Sequence, residues 1–218
     1  MSHPGDAMAD MPVQKIVGLT LLQASFFFFA GLGMWAWTER ELLAFVTFQT
    51  SELVLGLLIA GGMIAFGYVL FRAFPRFGEK LVRDQVRQFA FLKNPMPPLA
   101  IVLIAAGAGI GEEALFRGGI LTLLDHYGPF PVALLVSSGV FTVIHFAKPA
   151  VAALIFAIGV FFGLTYWASG SLLAVMIGHW VYDIWALWFI QKEMHRLDVF
   201  DDGSTAPNQA LEITGENQ

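Results

Sequence analysis

The sequence predicts an all-α fold, a bundle of about six membrane-spanning helices. Two observations carry this. Of 218 residues, 57% are hydrophobic and only 13% charged, whereas soluble domains average roughly 25% charged. The apolar residues also gather into runs, 16–37, 53–74, 98–124, 129–147, 150–168 and 171–190, near the roughly 20 residues a helix needs to cross a bilayer. Cysteine is absent, which excludes disulfides, thiolate nucleophiles and cysteine–zinc sites.

The first run follows no basic stretch and precedes no small-residue cleavage site, so it is expected to stay as a span. It ends in "MWAW" at 34–37, which suits an interfacial aromatic belt, as does "WVYDIWALWF" in the sixth run. The second run contains Gly61-Gly62, the third Gly118-Gly119 and the fifth Gly159 and Gly163, small residues that let helices approach. Pro75, Pro95, Pro97, Pro98, Pro129, Pro131 and Pro149 mark the boundaries, where proline costs least.

Between the second and third runs lies "RFGEKLVRDQVRQFAFL". Its spacing of Phe77, Leu81, Val82, Phe89 and Leu92 among Arg and Lys predicts an amphipathic helix resting on an anionic cytoplasmic leaflet. Six of the twelve Lys and Arg residues fall in 72–93. With that segment inside, both termini are inside too, and only Arg40 lies outside and Arg117 within a span. Residues 1–190 then form the transmembrane domain, with its motifs in 98–190, and 191–218 a polar, acidic cytoplasmic tail, disordered over its last twenty residues. The expected place is the cell membrane. No phosphate-cradling glycine loop and no repeat is visible, and no nucleic-acid partner is expected.

Within these runs the ionisable residues away from the ends are Glu112, Glu113, Arg117, His145, His179 and Asp183. A charge near the bilayer centre costs at least about 2.5–3.5 kcal/mol, so each needs a partner. Glu113 and Arg117 are four apart, as are His179 and Asp183, so each pair shares a helical face. Phe141 stands one turn before His145. Each pair has an ordinary structural explanation as a self-neutralising couple. The set does not, because Arg117 balances one carboxylate and two are present. The spare glutamate is desolvated and suited to proton transfer.

A glutamate and a histidine facing one water can activate it for attack on a carbonyl, and a second histidine can donate to the oxyanion that forms. No serine sits in a nucleophile setting such as GxSxG. Two histidines with one or two carboxylates also make a reasonable zinc shell, with Glu112, His145, His179 and Asp183 as ligands. Spacing leaves both chemistries open.

"EEALFR" reads as EExxxR, "FTVIH" as FxxxH and "HWVYD" as HxxxD, in that order and in apolar runs. Over residues 111–183 the chain thereby resembles the CPBP family of intramembrane proteases, the type II CAAX prenyl endopeptidases and bacteriocin-processing enzymes also called the ABI family. The resemblance implies an endopeptidase that cleaves a membrane-associated peptide or protein by a glutamate mechanism, with zinc as the alternative and no cofactor required. It implies that Glu112 and His145 activate water, that Glu113 and Arg117 hold the third span, and that His179 with Asp183 stabilises the oxyanion. An ionised Asp183 only accepts hydrogen bonds, so it orients His179 or is itself protonated. The other function class is a non-catalytic regulatory or immunity protein on the same scaffold. A transporter is disfavoured because the intramembrane charges form one group and no inverted repeat appears.

Overall fold

The computed structural model describes residues 11–200. Among them it is all-helical: α1 Val13–Trp37, α2 Thr50–Ala73, α3 Pro75–Asp84, α4 Pro98–Glu113, a π-helical turn Ala114–Leu121 that passes into α5 Thr122–Tyr127, α6 Phe130–Val143, α7 Pro149–Ser169 and α8 Leu172–Arg196. Five helical stretches are long and apolar enough to cross a membrane: α1, α2, the continuous Pro98–Tyr127, α7 and α8. The chain is an integral, multi-pass membrane protein.

The fourth span differs from expectation. The run 129–147 suggested a full crossing, but α6 has 14 residues, roughly 21 Å at 1.5 Å per residue, against about 30 Å of hydrocarbon. Pro149 opens α7 and disfavours helix at the residue before it, so the chain breaks into a turn at 144–146. His145 therefore lies in that turn and not inside a helix.

Helix directions follow from the close contacts of their glycines. Gly107 and Gly111 of α4 meet Thr20 and Ala24 of α1, so these two run parallel. Gly56 and Gly67 of α2 meet Ile177 and Trp185 of α8, again parallel. Gly109 packs on Trp180, whose indole N–H donates to the Val102 carbonyl at 3.1 Å, setting α4 antiparallel to α8. Gly159 and Gly163 of α7 contact Ser138 and Leu134 of α6, an antiparallel pair. Gly61-Gly62, by contrast, faces open space among the described residues.

On one side of the bundle the Trp37 indole donates to Tyr127 at 3.2 Å, joining the α1–α2 and α5–α6 connections. Trp35 is buried against Phe45, so only part of "MWAW" suits an interface. On the other side sits the basic segment. Its regular helix stops at Asp84 and a 3-10 turn follows at Ala90–Lys93. Leu81, Val82 and Leu92 are buried within the protein, whereas the spacing suggested an apolar face turned to lipid. Val82 packs with Met194 and Val199, for α8 stays helical to Arg196. The remainder of the expected tail, 201–218, and residues 1–10 lie outside the described residues.

Candidate active site

The π-helical turn follows the two glutamates directly. Such turns insert a residue into the helical ladder and frequently mark functional sites. Here Thr122 donates its hydroxyl to the Arg117 carbonyl, five residues back, at 2.9 Å. Ser137 of α6 donates to the Phe116 carbonyl at 2.8 Å. Side chains thus satisfy carbonyls along the widened turn and tie it to α6.

Glu113 is fully buried and Arg117 is 1% exposed. The guanidinium donates to Glu113 Oε1 at 2.9 Å and to the Gly159 carbonyl of α7 at 2.9 Å. It also lies 4.8 Å from the Phe141 ring centre and 5.5 Å from that of Phe162, so aromatic faces replace water around the charge. Arg117 therefore bridges the third pass, α6 and α7. The i,i+4 pairing expected from sequence is present, and its reach to α7 is an addition that spacing did not reveal.

His179 joins the same carboxylate. Its Nδ1 is 2.8 Å from Glu113 Oε1, its Nε2 is 3.4 Å from Asp183 Oδ2, and its ring stacks on Phe162 at 4.9 Å. The Glu113–His179 contact ties α4 to α8 across 66 residues and was missed, because the sequence shows only the pairings within each helix. Glu113 Oε2 is buried without a hydrogen-bond partner among the described residues.

His145 has Nδ1 2.6 Å from the Phe141 carbonyl and its ring 4.7 Å from that of Phe141. A carbonyl only accepts, so Nδ1 is the donor to Phe141, which leaves Nε2 free of that bond.

Glu112, Phe141, His145, His179 and Asp183 line one cavity of about 650 Å³. Glu113 and Arg117 do not line it and stand behind its wall. Its surroundings are largely apolar, including Phe71, Phe89, Leu154, Ile158 and Trp185, with room for a peptide segment or an acyl-like chain. Gln23, Gln85, Gln88 and Tyr182 also face it. Sequence reading passed over these. Gln23 is one of few polar residues in an apolar run, and Gln85 and Gln88 lie within the basic segment, where the charges dominate the pattern.

The four residues read as a zinc shell, Glu112, His145, His179 and Asp183, all line this cavity. His179 has both nitrogens against carboxylates, and one carboxylate, Glu113, is committed to Arg117. Among the described residues no three His, Asp or Glu side chains gather as a metal site needs.

Residues 94–185 match the family described as Type II CAAX prenyl endopeptidase Rce1-like. Over that stretch the chain is similar to the CPBP/CAAX proteases. The match contains EExxxR, FxxxH and HxxxD and ends just past Asp183, so it takes in Glu112, Phe141, His145, His179 and Asp183 of the cavity lining. No curated protein and no solved structure matches the chain.

Proposed function

We propose that the protein is an intramembrane endopeptidase that hydrolyses a peptide bond of a membrane-associated peptide or protein with water activated by Glu112 and His145. One observation carries this reading: Glu112 of α4, His145 of the α6–α7 turn, and His179 and Asp183 of α8 converge on one largely apolar cavity, within a stretch that matches a family of endopeptidases.

The steps follow from the donors and acceptors. Water bound between Glu112 and His145 Nε2 gives a proton to the Glu112 carboxylate as its oxygen attacks the scissile carbonyl carbon. The C=O electron pair moves onto oxygen. His179, as an imidazolium, keeps Nδ1–H on Glu113 and shares Nε2–H between Asp183 and the oxyanion. Asp183 balances the imidazolium charge and orients the ring. Collapse of the tetrahedral intermediate breaks the C–N bond, and the proton held by Glu112 passes to the leaving amine. Glu113 and Arg117 position His179 and α7 and take no proton. No metal is required in this scheme.

The substrate enters from the lipid or its surface, since most of the lining is apolar. The basic segment 72–93 rests on the anionic inner leaflet, with both termini cytoplasmic and the protein in the cell membrane. Reporter fusions after Gln49 and Gly170 then read outside and one after Phe91 inside. An outside signal from 75–95 overturns the orientation.

The activity test compares membrane proteomes of cells carrying wild type or Glu112→Ala, with a quenched-fluorescent prenylated CAAX peptide as the purified assay. Accumulation of an uncleaved membrane peptide in the variant supports the protease. Identical proteomes together with an inert purified wild type point to a non-catalytic member acting as a regulatory or immunity protein.

A further inference from the structure

His145 is the candidate site residue that sits in a turn between helices. That turn holds Phe146 at φ 46°, a left-handed conformation uncommon for a bulky side chain, and Phe146 is 89% exposed. Apolar packing therefore does not hold the turn at Phe146. Besides the turn's own backbone bonds to the Thr142 and Val143 carbonyls and the imidazole's bond to Phe141, the turn is gripped from the basic surface segment. Gln88 donates its side-chain amide to the His145 carbonyl. Lys148 pairs with Asp84 at 3.0 Å, and Asp84 also takes Lys80 at 2.5 Å. The two ammonium groups, Lys80 foremost, hold the Asp84 carboxyl below its ordinary range, so it is ionised at neutral pH.

We propose that Gln88 and Asp84 are positioning residues for His145, clamping the α6–α7 turn from the membrane surface so that the imidazole meets Glu112. The two grips act at different points. Gln88 fixes the backbone of His145 itself, while Asp84 fixes Lys148, one residue before Pro149 starts α7. Between them they bracket the left-handed residue. Cutting either loosens the turn from the surface segment, and His145 is then held from α6 alone, by its ring bond to the Phe141 carbonyl and its backbone bond to the Thr142 carbonyl, both of which turn with α6. Asp84 and Lys148 do not line the cavity, so any influence on turnover passes through the turn and not through substrate contact. Because both lysines are well exposed, the ionic grip is screened by salt, whereas the amide grip is not.

This inference rests on the role given to His145 above, so its test has one arm independent of catalysis. The chain lacks cysteine and takes paired spin labels without background, at Arg87→Cys and Ala150→Cys, in anionic-lipid nanodiscs. The labelled protein should give a narrow distance distribution. Asp84→Lys and Gln88→Ala should broaden it, and adding Lys148→Asp to Asp84→Lys should narrow it again. An unchanged distribution in both single variants refutes the clamp, whatever the activity.

In the second arm, cleavage of the prenylated CAAX peptide by unlabelled protein should lose about fivefold in kcat for Asp84→Lys, the rate equivalent of about 1 kcal/mol, with KM unchanged and rescue by the charge swap. Broadened distances with undiminished kcat show a turn fastened for structure alone and overturn the positioning role. A wild type as inert as Glu112→Gln overturns it together with the protease reading, while the distance arm still judges the clamp.

Discussion

Glu112 and Glu113 are neighbours in the chain and opposites in surroundings. Glu113 is sealed behind the cavity wall, where one oxygen takes both Arg117 and His179. Glu112 lines the cavity with His145, His179 and Asp183. Adjacent helical positions point about 100° apart, and this rotation is enough to divide two identical side chains between architecture and chemistry. On one side of the wall every charge is neutralised at short range. On the other, a carboxylate faces space that a substrate and a water can enter.

The largest effect should come from Glu112→Gln, which removes the proton acceptor while keeping the shape. A loss of roughly 10²–10⁴-fold in kcat is expected for a general base, with a melting temperature in detergent close to wild type. Near-normal turnover in this variant beside a folded but dead Glu113→Gln would exchange the two assignments.

Glu113→Gln should act on folding first. It strands Arg117, and with it the Gly159 and His179 contacts, in a low-dielectric interior, a loss on the order of 3–5 kcal/mol for a buried pair. Thermal unfolding and expression level measure this. A variant that melts like wild type shows that the wall does not depend on the ion pair.

Asp183→Asn tests the boundary between the two sides, because His179 touches both. Asparagine keeps the size but not the charge that balances an imidazolium. About a tenfold fall in kcat is expected, in the range of a hydrogen bond to a charged group, with little change in melting. Lost stability at unchanged kcat assigns Asp183 to the wall instead.

The smallest effect expected is that of exhaustive chelation. Cleavage of the peptide probe should persist, with no stoichiometric metal by elemental analysis. Inactivation reversed by added zinc shifts the chemistry to metal coordination on the cavity side.

The sequence alone determined what is periodic or local. Length and hydropathy made the helical bundle, since hydrocarbon tolerates only backbones that satisfy themselves, and four-residue spacing paired Glu113 with Arg117 and His179 with Asp183. It also separated Glu112 from Glu113, because only one can be in register with Arg117. Tertiary structure decided what depends on which helices are neighbours. Glu113 meets His179 only because α4 packs antiparallel to α8, and Arg117 reaches Gly159 only because α7 lies beside the π-helical turn. The short α6 and the turn it leaves at His145 were hidden, as hydropathy reads the run 129–147 as continuous while Pro149 and the surface segment cut it short. Gln88 carried no signal at all. Its amide matters through the carbonyl it reaches, 57 residues away in the chain, and no spacing rule spans that distance.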